Sequence, residues 1–581
     1  MSSSKLLKVG DGVEKLSTDC WQLVFHRLNN DELKAVSLVC KDFLTNSNLV
    51  KKSLDVVNPN VNILSQHLKR FPELKTIDFS AFRGDFDEAI REVARSGLSL
   101  ESLTFGEEAT FKTESLRELG SNSNSLKTLN CFETECLNDN DLVVIANSFM
   151  NLEELSIGHY NLNSKQNISS NGIEILASRL KVLKTISLDG LQDISDQCLI
   201  ALSVNCVFLK DVSIFCSAGI NNVRVTEYGI GILLRNRTNL EALCISDINQ
   251  DPSEITIENS ISHAKSLTSL GFTDMRISDK LLMEIAKAKL PLKDLDLSFC
   301  TNFTASGLLS VLTSNTLRKL AIMDCTKVDM DMVVLNGNIG NLTHIEFSNN
   351  LTKSTLFLLP TKCPSLVQMN IDDVELVGGA ENLSLCKNHN IQNLHLRLTD
   401  DDDDELLQLF VLRFPNLRVL ALTYCDKVTS KAIEAILKRC KFITSLKLRQ
   451  YRKSMIIEAD SELSELNLEI LELTDSYIDD EGLGVIARKC PRLMYLYLWR
   501  CKNVTTRSIK NAVQNIKTLT DLHLSDCNKV NSGELLEWML STGSLASLKQ
   551  ITLPLHREMD ATEEQREEFL RRGCMLSDVK S

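Results

Sequence analysis

One arrangement of apolar and polar residues recurs along most of the chain. An apolar residue is followed by further apolar residues three and five positions later, as in Leu74-Ile77-Phe79 and Leu152-Leu155-Ile157. Because successive side chains of a strand point to opposite faces, this spacing predicts a short strand with one buried face. The pattern has nineteen copies, which begin at Leu74, Leu100, Leu126, Leu152, Leu183, Leu209, Leu240, Leu267, Leu292, Leu317, Leu342, Leu366, Ile391, Leu417, Ile443, Leu468, Leu493, Leu519 and Leu548.

A short helix is predicted between successive strands. In residues 478–491, acids precede apolar residues at helical spacing and Cys490-Pro491 follows, which is a typical start and stop. The copies lie mostly 24 to 27 residues apart, with two intervals of 31, against a period of about 20–29 for leucine-rich repeats. Neither element buries its apolar face alone. We therefore predict an α/β leucine-rich-repeat solenoid, a horseshoe with a parallel sheet on its concave side and helices on its convex side.

The composition is consistent with one long solenoid in an intracellular protein. A chain of 581 residues would form about four ordinary domains of about 150 residues, and the repeats replace that estimate. A net charge of -13 argues against nucleic acid and acidic membranes as partners. No apolar segment follows the polar start, and no window has the length of a membrane span, so we expect a cytoplasmic or nuclear location.

The 18 Cys include no CxxC pair, which favours reduced, buried thiols over disulfides or a zinc site, so no metal or cofactor is expected. Many of them occupy two positions of the repeat. They follow the strand or end the helix, and this arrangement resembles the cysteine-containing leucine-rich-repeat subtype over roughly residues 71–554. These residues are Cys300, Cys325, Cys425, Cys501 and Cys527 after strands, and Cys206, Cys363, Cys440 and Cys490 at helix ends.

The pattern differs before the first repeat. Apolar residues from Leu16 to Phe43 recur at spacings of three and four, which predicts two or three short amphipathic helices. Asp31 is the predicted N-cap of the second helix. The predicted organisation is thus a polar tail over 1–12, a helical module over 13–54, the solenoid over 55–556 and a polar helical cap over 557–581.

The residues of this module resemble an F-box. The segment Leu16-Ser-Thr-Asp-Cys-Trp-Gln-Leu-Val-Phe-His-Arg-Leu28 and the later Val39-Cys40-Lys41-Asp-Phe43 match the family pattern, except that Ser17 stands where the family usually has Pro. That departure puts the affinity for the adaptor in question. The alternative is that these residues only cap the N-terminal end of the solenoid. Such a cap does not require the Val39-Cys40-Lys41 signature, which therefore favours the F-box.

An F-box followed by many repeats resembles the F-box/leucine-rich-repeat proteins, most of all the plant members. The resemblance implies a non-catalytic substrate receptor of a Skp–cullin–F-box ubiquitin ligase, which marks its target for proteasomal degradation. Its partners would be a Skp-type adaptor and, through it, a cullin scaffold and a RING subunit. By the same resemblance, the adaptor interface and its support would comprise Leu16, Leu23, Phe25, Leu28, Leu33, Val39, Cys40 and Phe43.

The outward positions of the late strands carry cations and aromatic residues on an acidic protein. Such residues dominate binding hot spots, so we expect a target protein there that is acidic or phosphorylated. Ordinary solvated strand residues are an equal alternative. The predicted target-binding residues are His395, Arg397, Lys447, Arg449, Tyr495, Tyr497, Trp499 and Arg500, with Tyr451, Arg452 and Lys453 just beyond a strand.

Other functions stay open at this stage. No motif of a catalytic site is present, so an enzyme is not expected. The auxin and jasmonate receptors are F-box/leucine-rich-repeat proteins that hold an inositol phosphate, and the cluster of Lys447, Arg449 and Arg452 is compatible with that cofactor. A scaffold without ligase activity would follow if Ser17 abolished adaptor binding. The longer repeats, near 159–170 and 217–226, are either rim loops or tolerated insertions, and Asp400 to Asp404 is expected to be a solvated helix start.

Overall fold

The computed structural model describes residues 18–106, 109–134, 137–159, 167–215, 224–248, 254–314, 316–348, 351–372, 387–398, 403–458, 463–545, 547–554 and 561–578. The chain forms two compact units, Met1–Arg237 and Thr238–Ser581. In each unit, parallel strands alternate with helices, which confirms the predicted leucine-rich-repeat solenoid. Leu16 and Ser17 lie outside the described residues, as do most of the predicted longer loops.

The first unit opens with three short helices and continues with strands that each pair in parallel with the next one. Its helices are α1 Thr18–Phe25, α2 Asn30–Ser37, α3 Lys41–Val50, α4 Val61–Arg70, α5 Phe86–Arg95, α6 Thr113–Asn122, α7 Asp139–Ser148, α8 Ser170–Arg179, α9 Asp196–Asn205 and α10 Glu227–Asn236. Its strands are β1 Ser53–Asp55, β2 Thr76–Phe79, β3 Ser102–Phe105, β4 Thr128–Phe132, β5 Glu154–Gly158, β6 Thr185–Asp189 and β7 Asp211–Phe215.

The second unit repeats the same alternation, again with parallel pairing between successive strands. Its strands are β8 Ala242–Ser246, β9 Ser269–Thr273, β10 Asp294–Asp296, β11 Lys319–Ile322, β12 His344–Ser348, β13 Gln368–Asp372, β14 Asn393–Arg397, β15 Val419–Thr423, β16 Ser445–Arg449, β17 Ile470–Thr474, β18 Tyr495–Trp499, β19 Asp521–His523, β20 Gln550–Leu553 and β21 Met575–Asp578. Its helices are α11 Ile257–Ser260, α12 Asp279–Ala288, α13 Ala305–Leu312, α14 Met330–Asn336, α15 Lys353–Lys362, α16 Asp403–Arg413, α17 Ser430–Arg439, α18 Asp480–Lys489, α19 Thr506–Asn515, α20 Ser532–Thr542 and α21 Glu563–Arg571, with a 3₁₀ turn at Ile261–His263.

The nineteen predicted strand positions correspond to β2–β20. Their apolar residues form the core; for example, Leu468, Leu471 and Leu473 of β17 and its approach are fully buried. The sheet continues by one strand beyond the predicted positions at each end. Ser53–Asp55 pairs with β2, and Met575–Asp578 pairs with β20. Residues 563–578 therefore form another helix–strand repeat, although the segment 557–581 was expected to be a polar helical cap.

An aspartate in the first turn of several helices holds the start of the next helix. In each case the carboxylate accepts the backbone N–H and the hydroxyl of the next N-cap Ser or Thr, about one repeat later. The pairs are Asp139–Ser169, Asp196–Thr226, Asp279–Thr304, Asp404–Thr429 and Asp480–Thr505. The expected helix start is present, since α16 begins at Asp403, and Asp404 in its first turn is a half-buried structural acceptor; residues 400–402 lie outside the described residues.

This aspartate contact also constrains its surroundings. A β-carbon at Gly307 would collide with the carboxylate of Asp279, so glycine lets the two repeats approach closely. At Asp480, burial opposes ionisation, but hydrogen bonds from Thr505 and Ser508 outweigh it and hold the pKa of the carboxyl below its usual value. The aspartates therefore link successive repeats by charge-assisted hydrogen bonds.

The predicted burial of the repeat cysteines is confirmed. All nine that were assigned to the two repeat positions are free and buried, whereas Cys20 and Cys40 of the first helices are exposed. Burial raises the pKa of Cys300, Cys363 and Cys490 to about 12. Such thiols stay protonated at neutral pH and act as packing groups.

The segment between β16 and β17 departs from the strand–helix pattern. Between β16 and β17, the described residues 450–458 and 463–469 form no helix. In this segment the ring of Tyr451 is fully buried, and its hydroxyl donates to the carbonyl of Met455 at 2.9 Å. The expectation that Tyr451 belongs to a binding surface is therefore wrong. In register, Tyr451 lies at the position that the buried Cys425 occupies one repeat earlier.

Candidate functional site

The first three helices form a small module around its own core. Phe25, Leu33 and Val50 are buried at its centre, and Trp21 and Phe43 pack against them. The ring centroids of Trp21 and Phe43 lie 4.6 Å apart, and those of Phe25 and Phe43 lie 5.2 Å apart. Aromatic pairs at these distances add to the burial of apolar area. The core of this module consequently depends on very few side chains.

The second helix of the module starts at a different residue from the one predicted. Its N-cap is Asn29, whose side chain accepts the N–H of Glu32, while the carboxylate of Glu32 accepts the N–H of Asn29. This reciprocal pair satisfies two backbone donors at once. The assignment of the N-cap to Asp31 is therefore wrong, because the capping box places the helix start two residues earlier.

The module exposes large apolar side chains where α1 and α2 end. Leu23 is 69%, Leu38 82% and Val39 67% exposed, and Val24 is about half exposed. Exposed apolar residues that cluster in sequence at helix ends are typical of a surface that another protein covers. We refer to Leu23, Val24, Leu38 and Val39 as the apolar edge of the module.

The predicted adaptor residues divide into two groups in the structure. Leu23, Val39 and Cys40 are exposed, which suits an interface. Support positions are also present: Phe25 and Leu33 are buried, while Leu28 and Phe43 are half-buried against them. Leu16 lies outside the described residues. Sequence reasoning missed Leu38, the most exposed member of the edge, although it immediately precedes the recognised Val39-Cys40-Lys41 segment.

The module is attached to the first strand and helix of the solenoid. The side-chain amide of Asn30 donates to the hydroxyl of Ser53 on β1, and Arg70 of α4 donates to Asn48 of α3. Lys51 lies over the ring of Phe71, 5.0 Å from its centroid. Part of the module surface therefore covers the end of the sheet and leaves the apolar edge free.

The second unit carries a depression on the open face of its sheet, the face that the predicted concave positions form. Its volume is about 370 Å³, and it extends from β13 to β17. The parallel register places His395, Ala421, Lys447 and Glu472 in one row across β14–β17. Because Ala421 is small, the longer side chains on both sides of it enclose a space above β15. The polar lining includes Asn370, His395, Thr423, Lys447, Arg449 and Glu472.

The two cations of this open-face depression share one carboxylate. Nζ of Lys447 lies 2.9 Å from Oε2 of Glu472, and Nη2 of Arg449 lies 3.8 Å from Oε1 of the same residue. Both cations are about half exposed, so each pair is weak in water. Sequence reasoning missed Glu472. It occupies the same outward strand position as Lys447, one repeat later, and that periodicity is the signal that identifies it.

His395 is held neutral at the wall of the depression. Nε2 of its ring is 3.1 Å from Oγ1 of Thr423. Burial lowers the pKa of His395 most, and Arg449 and Lys447 lower it further, although Asp372 opposes them. The ring therefore offers one donor and one acceptor at neutral pH, and a bound anion would favour its protonation.

Three aromatic residues lie beside the depression on β18. The rings of Tyr495 and Tyr497 are parallel with centroids 6.4 Å apart, and Tyr497 also packs on His523 at 4.2 Å. Trp499 is 48% exposed, and its indole N–H donates to Asp526. We call Tyr495, Tyr497 and Trp499 the aromatic platform. Its rings are held by neighbours and still offer apolar area to a ligand.

Three of the remaining predicted cations, Arg397, Arg452 and Arg500, lie outside the depression lining and have partners of their own. Arg397 lies over the ring of Tyr424, 4.5 Å from its centroid. Arg500 pairs with Asp475 at 3.2 Å, and Arg452 pairs with Asp426 at 3.9 Å. Of the predicted three-cation cluster, Lys447 and Arg449 line the depression, whereas Arg452 does not and pairs with Asp426. The positive charge of this surface is concentrated at Lys447 and Arg449.

Comparison with known proteins gives three curated relatives that share parts of this chain. F-box/LRR-repeat protein 4 of Bos taurus is 26% identical over 208 residues, F-box protein SKIP1 of Arabidopsis thaliana is 25% identical over 167, and F-box protein MAX2 homolog A of Petunia hybrida is 27% identical over 244. These matches cover 34%, 26% and 36% of this chain. The chain spans 32%, 56% and 34% of the length of these relatives.

The resemblance to F-box/leucine-rich-repeat proteins is confirmed. No family model matches the chain. Among solved structures, a chain from the Rad7 and Elc1 complex in yeast covers 65% of this chain and 92% of its own length, with 17% identity and a TM-score of 0.42. A chain of the TLR13–ssRNA13 complex covers 88% of this chain and 65% of its own length, with 15% identity and a TM-score of 0.37.

Within the described residues, the chain thus presents two candidate binding surfaces, the apolar edge of the helical module and the open face of the second unit. No group of three or more His, Cys, Asp or Glu residues within the described ranges is arranged to hold a metal ion. None of the described helices is long and apolar enough to cross a membrane.

Proposed function

We propose that this chain is the substrate-recognition subunit of a Skp–cullin–F-box ubiquitin ligase. The F-box module binds a Skp-type adaptor, which connects the chain to a cullin scaffold and a RING subunit. A target protein binds on the open face of the second unit and is ubiquitinated for proteasomal degradation. The single observation that carries the proposal is the exposed apolar edge on a module that resembles an F-box.

The adaptor surface is assigned to Leu23, Leu38, Val39 and the neighbouring Cys40. Burial of apolar area contributes about 25 cal/mol per Å², so three largely exposed side chains offer a substantial driving force. The module core holds α1 and α2 in place and comprises Phe25, Leu28, Leu33 and Phe43. The module contacts the solenoid through Ser53 and Arg70.

The target surface is assigned to the open-face depression and the aromatic platform. His395, Lys447 and Arg449 supply donors and positive charge, while Tyr495, Tyr497 and Trp499 supply apolar area. Arg397 and Arg500 border this surface and contact Tyr424 and Asp475. An acidic or phosphorylated target fits the exposed cations. In this role the chain is not an enzyme. It acts by raising the local concentration of target lysines near a conjugating enzyme.

Co-expression of the full chain with a Skp-type adaptor tests the first half of the proposal. We expect a stable complex that survives size-exclusion chromatography. A chain that never co-purifies with any Skp-type adaptor would instead act as a scaffold without ligase activity.

Affinity capture tests the second half. The full chain with L38D and V39D is preferable to deletion of residues 13–54, because that range includes Ser53 and Leu54 of β1. Targets captured by this variant should accumulate, whereas the wild-type chain with its ligase partners should ubiquitinate them. Retention of capture after substitution of Lys447, Arg449 and Trp499 by alanine would contradict the assigned surface.

A further inference from the structure

The open-face depression and the aromatic platform have a fixed separation. Lys447 and Arg449 lie on β16 and Ala421 on β15, whereas the platform lies on β18. Neighbouring strands are about 4.8 Å apart, so two to three strand steps separate the two features by about 10–14 Å. An extended chain covers this distance in three or four residues, at about 3.3 Å per residue.

In the free protein, the Glu472 carboxylate pairs with the two cations to which an anionic group of the target would bind. Lys447 and Arg449 share its carboxylate, although both remain about half exposed. Exposed ion pairs of this kind are worth about 0–1 kcal/mol each, so a ligand can displace Glu472 at little cost. Ala421 and Thr423 leave the space above β15 in which the displacing group can lie.

We infer that the target binds here as an extended segment with an anionic side chain, a carboxylate or a phosphate, three or four residues from a large apolar side chain. This inference rests on the proposed function and specifies its target class. The anionic group lies beside Lys447 and Arg449, over β15 and β16, and displaces the Glu472 carboxylate from these two cations. The apolar group packs on Tyr497 and Trp499, and the segment crosses the strands at the height of His395.

A set of synthetic peptides tests the spacing. Each fluorescein-labelled peptide has twelve residues in a Gly-Ser-Thr background, with one Glu or one phosphoserine and one Trp at separations of one to eight residues. Fluorescence polarisation with the full chain should give the tightest binding at separations of three and four. The Glu and phosphoserine series distinguish a carboxylate ligand from a phosphate ligand. A flat dependence on separation would overturn the inference.

Variants of the chain test the proposed anion-binding residues, Lys447 and Arg449. K447A/R449A should weaken the best peptide by about tenfold or more, because hydrogen bonds to charged groups contribute about 1.5–3 kcal/mol. K319A is the matched control, since Lys319 is an exposed cation at an outward position of β11. It should leave binding unchanged. Thermal unfolding of each variant, compared with wild type, shows that the fold is retained.

The variant Glu472→Gln tests whether the anionic group of the peptide displaces the Glu472 carboxylate or is only attracted by Lys447 and Arg449 at a distance. Removal of the competing carboxylate should strengthen binding of the best peptide by about fivefold, as expected for the loss of one or two exposed ion pairs. Unchanged or weaker binding contradicts the displacement of Glu472.

W499A should weaken the binding of peptides that contain Trp and leave the binding of peptides without Trp unchanged. Tighter binding when Arg replaces Trp in the peptide would overturn the apolar assignment.

The outcomes separate this inference from the proposed function. If captured targets are ubiquitinated but the peptide series shows no preferred separation, the inference fails and the proposed function stands. If no Skp-type adaptor co-purifies while the peptide series behaves as expected, the ligase role fails and the open face is still a binding site.

Discussion

The helical module of the first unit and the open face of the second unit expose opposite kinds of surface. The module exposes Leu38 and Val39, which have no charge and little directionality. The open face exposes Lys447, Arg449 and Glu472 on strands whose register fixes their spacing. An apolar edge favours one partner of complementary shape. A charged and aromatic surface selects a partner by the position of its groups.

The two regions also differ in how they are stabilised. The module has a core of Phe25, Leu33 and Val50, whereas the solenoid buries apolar residues from every repeat. A region with few buried side chains loses its structure when one is removed, but a repeat array shares the loss among neighbours. Substitutions can therefore inactivate either surface separately.

Phe25→Ala should have the largest effect, because it removes a central ring of the small core. Truncation of a buried Phe costs about 3–5 kcal/mol, which is comparable to the whole stability of so small a module. We expect adaptor co-purification to be lost while peptide binding at the open face is retained. Phe208→Ala is the control, since Phe208 is an exposed ring of the same unit. Loss of peptide binding in F25A would mean that the two surfaces are not independent.

The double variant L38D/V39D should retain the fold and lose binding of the adaptor. Burial of an unpaired carboxylate costs several kcal/mol, so adaptor affinity should fall by about a hundredfold or more in isothermal titration calorimetry. Met150→Asp places one such carboxylate on an exposed apolar residue elsewhere in the unit and should have no effect. Equal loss in both variants would point to a general effect of added charge.

Asp480→Ala should reduce stability without direct change to either surface. The carboxylate accepts two hydrogen bonds from Thr505, so its removal should cost about 2 kcal/mol in denaturant unfolding. Glu481→Ala, in the same helical turn, is the control and should change stability by less than about 0.5 kcal/mol.

The pH dependence of the Asp480 contribution follows from its lowered pKa. The contribution is fully present above the usual carboxyl value and is lost as the pH falls through the lowered folded-state value. The difference between wild type and D480A should therefore shrink below about pH 4. A difference that persists at lower pH would show that packing, and not the ionised carboxylate, stabilises the repeat boundary.

Histidine 395 should give the smallest effect. Burial, Arg449 and Lys447 lower its pKa, while Asp372 and Glu472 oppose them. The unfolded chain therefore binds the proton more readily, so the neutral ring contributes stability that is lost as the pH falls below about 6.5. H395Q should reduce the loss of stability between pH 7.5 and 5.5 by less than about 1 kcal/mol, measured by denaturant titration. A larger loss in H395Q than in wild type would contradict the assignment.

Prediction from sequence succeeded where the pattern is local and repeated. The strand positions from Leu74 to Leu548, the buried cysteines and the helical module all follow from spacing within one repeat or one helix. Prediction from sequence failed where another interaction competes with the local preference of a residue. Asp31 is a suitable N-cap residue, but Asn29 and Glu32 form the reciprocal pair that fixes the helix start. Tyr451 lies two positions beyond the outward-facing Arg449 and was expected on the same surface, but its ring is buried at the position that Cys425 occupies one repeat earlier.

The sequence by itself determined the repeat, the identity of the buried positions and the resemblance of the first helices to an F-box, because each depends on residues close together in the chain. The tertiary structure decided which outward residues meet. Lys447 and Glu472 are one repeat apart in sequence and 2.9 Å apart in space, since parallel register places equivalent positions side by side. The depression over Ala421 likewise exists because a small residue lies between two strands with longer side chains. Charge pairing and the space for a ligand are properties of neighbouring strands, and a single strand does not contain them.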